Sequence, residues 1–533
     1  MSKNKRQQIW QETKALTPEK MVLAHHVLEE VRAGSPVMDA LRRHPLAGGG
    51  YLGKYALVAA YNQVVLKGEE PDEHLFELIR MKPVRTLSGV ATVTVLTKPY
   101  PCPGECIYCP TDPRMPKSYL PDEPGAMRGL EYEFDPYTQL LSRLQGLESI
   151  GHPTDKIELL ILGGTWSSYP LEYQEWFVRR CFDALNGVDS DTLLAAQTLN
   201  ETARHRNVGL VIETRPDMID LNELSWLRYL GVTKVQLGAQ SLSDHILKIN
   251  RRGHTTAVTR YAVMLLRAAG FKIVLHWMPN LLGATPETDY SDFAGLWDGF
   301  CPDEIKIYPT QLLENTELHT CWQRGEYKPY TTQVLIDLIA NIKPTIPRYC
   351  RVNRVIRDIP STHVVEGNRR TSLRQDVHAA MKNSGTHCQC IRCREVRKKQ
   401  VAPDKLHLDD SDYLAANARE HFLSFVTPDD RIAALLRLSL PSPNSPQTGL
   451  HDLKGAALIR ELHVYGQSLP IGMELDNTPQ HCGLGMGLLE QAERVAYQAG
   501  YKRLAVISAV GTRQYYLERG FERGDCFLVK NVQ

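Results

Sequence analysis

The chain has 533 residues, enough for three or four domains at roughly 150 residues each. Apolar residues at 43% and charged residues at 23% suit a folded globular protein and exclude a disordered one. Net charge is only +1, no run approaches the roughly 18 apolar residues of a membrane helix, and the basic start MSKNKRQQIW has no apolar stretch behind it, so a cytoplasmic protein without membrane attachment is expected.

In chain order, Thr17-Pro18 offers a cap and a first-turn proline to a helix running up to Gly34. A glycine-rich joint, 47–50, precedes a second apolar helix over 55–66. Residues 1–66 carry 9 Lys or Arg against 5 Asp or Glu, so 1–80 reads as a small basic helical region, either a nucleic-acid contact or a packing arm. From Val90 the period changes. Strands are expected at 90–97, 157–162, 209–213, 234–238, 271–277 and 304–308, with helical patterns such as 221–230, 255–269 and 290–300 between them. Six alternations predict a parallel sheet with its active site at the strands' C-terminal ends, an open partial (βα)6 barrel over 81–342. Gly163-Gly164-Thr165, Glu213-Thr214-Arg215-Pro216, Gln240-Ser241, His276 and Lys306 all fall at those ends. Singly each reads as a turn residue; together they mark a functional rim.

Residues 343–399 hold 14 Lys or Arg against 4 Asp or Glu, a local net of +10. The segment 343–403 therefore reads as a basic connector facing a polyanion, with a solvated basic face as the plainer reading. It contains Cys388-Gln-Cys390-Ile-Arg-Cys393, three soft ligands suited to structural zinc, with Cys350 preferred over His378 or His387 as the fourth on softness. After the acidic stretch Leu408-Asp409-Asp410, strands at 421–426, 432–440, 456–464 and 504–509, a loop at 441–449 and a helix at 485–499 make a separate α/β domain, 404–533.

Twelve cysteines in such a length are too sparse for a disulfide scaffold, whereas clustered thiols in a reducing compartment read as metal sites. Cys102-Pro-Gly-Glu-Cys106-Ile-Tyr-Cys109 follows the first barrel strand with the spacing C-x3-C-x2-C. Three thiolates hold three irons of a cubane and leave the fourth open for chemistry. The motif resembles that of the radical S-adenosylmethionine (SAM) superfamily. The resemblance implies a 4Fe–4S cluster whose free iron is chelated by SAM, reductive SAM cleavage to a 5′-deoxyadenosyl radical, and an external electron donor. It also implies SAM contacts at Gly163, Gly164, Thr165, Glu213, Gln240 and Lys306, with Thr165 standing where the superfamily usually has an acidic residue. Gln480-His-Cys-Gly483-Leu-Gly485 opens the 485–499 helix, where free N–H groups favour phosphate, and Tyr515-Tyr516 follows the last strand. That order resembles the GNAT acetyltransferases, whose loop cradles coenzyme A and whose late tyrosine protonates the departing thiolate.

The pairing of the two, with the phrases MKPVRTLSGVA, CPGECIYCP, ILGGT, IETRPD, GAQS, RRGHT, IKIYPT, RDIP, RELHVYG and RQYYLERGF, resembles the Elongator protein three family from about Met81 onward. The family resemblance implies an acyltransferase-class enzyme that uses acetyl-coenzyme A to build a carboxymethyl precursor on carbon 5 of the tRNA wobble uridine, and that hydrolyses the thioester. It implies acetyl-coenzyme A contacts at Lys156, Glu461, Leu462, His463, Val464, Pro479, Gln480, His481, Gly483, Gly485 and Tyr516, with Tyr515, Tyr516 and Lys156 as catalytic candidates. For tRNA phosphates the candidates are Arg369, Arg370, Arg374, Lys398 and Lys399, with Lys3, Lys5, Arg6, Arg42 and Arg43. The competing readings are a protein lysine acetyltransferase with a merely structural SAM domain, and a non-catalytic tRNA-binding scaffold.

Overall fold

The computed structural model describes residues 15–397, 401–466 and 483–532. The chain divides into two compact units, Met1–Leu87 with Ser142–Thr154, and Ser88–Leu141 with Asp155–Gln533. No described helix is long and apolar enough to cross a membrane.

The first unit is helical, with Pro18–Arg32, Val37–Arg43, Lys54–Leu66 and Glu73–Ile79. Thr17 caps the first helix by accepting from Lys20 N at 3.3 Å, and Pro18 takes a position where no backbone donor is needed. Ala24, Val27, Leu28 and Val31 recur at helical spacing and bury against Ala40, Leu41, Ala56 and Leu57.

The second unit carries two sheets. The first is parallel and in sequence order: β1 Ala91–Leu96, β2 Lys156–Leu162, β3 Arg206–Thr214, β4 Lys234–Gln240, β5 Lys272–Trp277, β6 Glu304–Ile307 and β7 Arg351–Val355. It is thus a seven-stranded half-barrel, where the sequence predicts six strands. The seventh lies in the segment expected as a connector and is hidden by its charge. Asn353 donates to Glu304 at 2.5 Å, and Arg351 donates to Glu395 and to the Tyr465 hydroxyl, both at 3.0 Å. Paired in this way, a polar strand can complete a buried sheet.

The second sheet has the order β13-β14-β12-β11-β10-β9-β8, built from β8 His407–Ala415, β9 Ala418–Val426, β10 Ile432–Pro441, β11 Ala456–Val464, β12 Arg503–Val506, β13 Glu522–Arg523 and β14 Leu528–Asn531. The acidic stretch becomes the edge strand β8, whose Asp410 and Asp412 meet His421 and Arg419 across the ladder. Asp409 lies 3.7 Å from Arg348, whereas Arg369 and Arg370 bond Val365 O and Asp376.

The two sheets are joined where the barrel strands begin. Arg460 donates to Asp303 at 2.6 and 2.8 Å and to Glu420 at 2.6 and 3.0 Å, with all three side chains buried. Arg437 donates to Tyr349 O at 2.8 Å, and Lys272, the first residue of β5, pairs with Glu461 of β11. Burial pushes the Asp303 carboxyl up, but Arg460, Arg437 and Arg267 outweigh it and hold the group well below the usual range. Removing one partner would strand a buried charge, at a cost of about 3–5 kcal/mol.

Candidate functional site

At the other end of the barrel, the loop after β1 carries Cys102, Cys106 and Cys109. Cys106 is buried and the other two are half-buried. Gly104 N points at Cys102 Sγ from 3.4 Å, and Arg252 Nη1 donates to Cys106 Sγ at 3.5 Å. A side chain at position 104 would displace Arg215, because its Cβ would stand 2.1 Å from Arg215 Nη1. That nitrogen is buried and has no hydrogen-bond partner among the described residues. Burial pushes the Cys109 thiol up to about 12. The three sulfurs are not gathered within 4.8 Å of one another, as those of Cys388, Cys390 and Cys393 are. A cubane asks for that wider spacing, since each thiolate takes a different corner. An anionic cluster also suits the two guanidinium groups, so the residues present fit the group.

The rim residues expected from the sequence lie at the C-terminal ends of the barrel strands, the end at which this loop follows β1. Gly163 has φ +136° at the end of β2, and a Cβ there would meet Thr97 Oγ1 at 2.0 Å. Thr165 Oγ1 lies 3.4 Å from Cys102 Sγ, so the residue that departs from the acidic pattern touches the thiol group itself. Gln240 holds φ +70°, and its buried Oε1 has no partner among the described residues. Glu213 stands 3.6 Å from His276 Nδ1, and burial raises its carboxyl pKa against the pull of Lys306. Lys306 bonds Gln236 Oε1, which also meets His276 Nε2 at 3.0 Å. Arg215 belongs to the rim expected from the sequence, whereas Arg252 has no role assigned there. The phrases RRGHT and IETRPD contain them, but only folding brings Arg252 onto Cys106 and Arg215 beside Gly104.

A cavity of about 990 Å³ runs through the barrel to the second sheet. Leu162, Gln236 and Lys306 line its rim side, Glu158, Lys234 and Glu304 its middle, and His463, Gly485, Tyr515 and Tyr516 its far side. Lys234 spans Glu158 at 2.5 Å and Glu304 at 3.4 Å. Lys156, Glu461, Leu462, Val464 and Gly483 line the same space. Burial opposes ionisation of Glu461, yet Lys272 and Arg437 hold its carboxyl at about 2. Burial pushes His463 down to about 4, and its Nε2 meets Ser88 O at 3.1 Å, so the imidazole is neutral at pH 7. Tyr516 is buried against Tyr515 and Phe521, and burial raises its phenol above the ordinary value. Gly483 opens the helix Leu484–Gln498, whose first turn faces the cavity. Pro479, Gln480 and His481 lie outside the described residues, as do Lys3, Lys5, Arg6, Lys398 and Lys399.

In the connector, one ligand atom each from Cys388, Cys390 and Cys393 lies within 4.8 Å of the others. Cys350, the expected fourth ligand, does not join them. Its backbone is held close, with Ile391 N donating to Cys350 O at 3.0 Å, while its thiol turns toward Arg351 O at 3.9 Å. His378 and His387 instead line the cavity that Cys388 and Cys393 border. The basic residues also divide. Arg369 and Arg370 are exposed, whereas Arg374 turns in to bond Val352 O at 3.1 Å, and Arg348 and Arg394 both bind Asp430. The +10 balance is therefore only partly a surface patch.

Comparison with known proteins adds the following. Residues 100–290 match the Radical SAM superfamily and residues 302–383 the Radical_SAM C-terminal domain. The tRNA uridine(34) acetyltransferase of Methanocaldococcus jannaschii is 43% identical, over 87% of this chain and 88% of its own. The Elongator complex protein 3 of Danio rerio is 38% identical, over 90% and 91% respectively. The structure of the archaeal Methanocaldococcus infernus Elp3 with an N-terminal deletion aligns with a TM-score of 0.72 at 37% identity, covering 84% of this chain and all of that one.

Proposed function

The chain belongs to the family of the tRNA uridine(34) acetyltransferases and Elongator complex protein 3, and from that premise we propose that it modifies carbon 5 of the tRNA wobble uridine with acetyl-coenzyme A through radical SAM chemistry. One observation carries this reading: a single cavity is lined both by Leu162 and Lys306, at the C-terminal ends of barrel strands, and by Tyr515 and Tyr516 of the second sheet's domain. Ordinary acyl transfer would join the acetyl carbonyl to its acceptor. Joining the methyl carbon to uracil requires activating a strong C–H bond, so the thioester site must communicate with the SAM site.

Cys102, Cys106 and Cys109 would hold the cluster, with Gly163, Gly164, Thr165, Glu213, Gln240 and Lys306 around SAM. When bound, these groups supply one-electron chemistry that breaks such a bond. Gly483, Gly485 and Lys156 provide backbone donors and positive charge for the coenzyme A phosphates. Glu461, pinned as a carboxylate by Lys272, and the neutral His463 flank the thioester. Tyr516 keeps its phenolic proton at neutral pH, ready for a departing thiolate. Cys388, Cys390 and Cys393 would hold a structural zinc, with His378 or His387 completing it. Segments 1–80 and 343–403 would bind tRNA phosphates, through Arg42, Arg369 and Arg370 among the described residues, while the segments 81–342 and 404–533 carry the two chemistries. Arg369→Glu with Arg370→Glu should weaken many tRNAs alike.

The deciding measurement is acetyl-coenzyme A hydrolysis with and without tRNA. Stimulation by tRNA, reduced about tenfold or more in Tyr516→Phe with tRNA affinity unchanged, is expected. Hydrolysis indifferent to tRNA would favour a protein acetyltransferase instead.

A further inference from the structure

The helical unit holds a side-chain cluster that the chemistry above does not use. His26 and Glu30 stand four residues apart on Pro18–Arg32 and share a face. His44, which closes Val37–Arg43, comes back onto them. One ligand atom from each lies within 4.8 Å of the other two. His26 Nε2 is 3.6 Å from Glu30 Oε1, and His44 Nε2 bonds that same oxygen. The imidazole rings meet edge to face, with centroids 4.7 Å apart.

The carboxylate divides its two oxygens between different tasks. Oε2 accepts from Arg43 Nε at 3.2 Å and Nη2 at 2.7 Å, and Arg43 is itself tied to Ser35 Oγ at 3.0 Å. Oε1 alone faces both imidazoles. A carboxylate gripped from outside on one oxygen and aimed inward with the other is what an outer-shell partner gives a metal ligand. Arg43 and His44 hold the carboxyl down at about 2, so it is anionic at neutral pH. The backbone beneath is fixed, because Val27, Leu28 and Val31 of one helix and Ala40 and Leu41 of the other are buried in one core. The neighbouring His25 takes no part and bonds Gln63 at 3.1 Å.

We propose that His26, Glu30 and His44 bind one first-row divalent cation, with zinc the best match, and so staple the end of Val37–Arg43 to Pro18–Arg32. Donors sharing a zinc ion at about 2.0–2.1 Å sit about 3.3 Å from one another, a spacing these atoms reach by small side-chain rotations. Two imidazoles and one carboxylate suit zinc, nickel or copper better than magnesium or calcium. The half-exposed outer side leaves a position for water.

The test counts zinc in the full-length, cluster-containing protein after dialysis against zinc chloride. Wild type should hold one ion per chain more than His26→Ala/His44→Ala. Cobalt(II) substitution separates this site from the cysteines, since the component lost in the variant should lack thiolate charge-transfer absorption. Glu30→Gln should weaken that component about tenfold or more. Equal counts in wild type and a double variant with native circular dichroism overturn the proposal, as does an ion that Glu30→Gln leaves unaffected. If the double variant fails to fold, His44→Asn must lose the same ion, and retention there overturns the proposal equally.

Discussion

The two cysteine groups of the second unit use three thiols each and are built in opposite ways. Cys102, Cys106 and Cys109 follow β1 with their sulfurs spread, lean on Arg252 and adjoin a rim whose polar atoms await partners. Cys388, Cys390 and Cys393 converge, and hydrogen bonds from Cys388 and Cys393 hold the Cys390 sulfur well below its ordinary pKa. Spread thiols can share a multi-iron cluster, while convergent ones fit a single ion, for which sulfurs must stand about 3.8 Å apart. The second gap is the same in the two groups, but the first is C-x3-C in one and C-x-C in the other, so the spacing and the backbone that presents it together decide the difference.

The largest effect expected is from Cys106→Ser. Iron content and SAM cleavage should fall to background while acetyl-coenzyme A binding is retained, and a variant that still cleaves SAM would break the comparison at its first member. Next, Cys390→Ser should lose zinc and lower Tm by about 5 °C, yet keep its iron, since it removes a staple and no reaction. Measured by metal analysis and calorimetry, a loss of iron here would mean that the groups are not independent. Arg252→Leu should be milder. Removing the cation beside Cys106 should lower the cluster's reduction potential by about tens of millivolts in a spectroelectrochemical titration, with zinc unchanged.

The smallest effect appears after metal removal. Cys109, with its pKa raised to about 12, should resist iodoacetamide at pH 9, where an ordinary thiol is half ionised; peptide mapping reads this directly. The folded chain then holds a proton that the unfolded chain has lost. Stability of the stripped protein should therefore fall as pH rises from about 9 toward about 12.

Much of this was legible in the residues. C-x3-C-x2-C after a β-branched strand, the glycines before the Leu484–Gln498 helix and the strand-end residues all lie where their local patterns put them. β7 was not, because Arg351-Val-Asn-Arg-Val reads as part of a basic segment until Glu304, Glu395 and Tyr465 are seen to answer its polar groups. β8 was missed for a related reason: an edge strand keeps one face in water, and its acids look like a loop. At the second cysteine group softness can be read from residue type, but the direction of a Cβ cannot.

Sequence by itself determined the chemistry on offer: two thiol triads, a helix start that favours phosphate, a tyrosine pair and the alternation that makes a parallel sheet. These are local properties, set by residue type and by spacing within a few turns of chain. Tertiary structure alone decided which of them meet. It put Arg252 on Cys106 across 146 residues and Lys272 on Glu461 across 189, and it ran one cavity from the rim to the tyrosines. The reason is that charge is costly to bury unless it is paired, so the partner of each buried group is chosen by the packing of the whole barrel against the second sheet, and no short stretch of sequence contains that information.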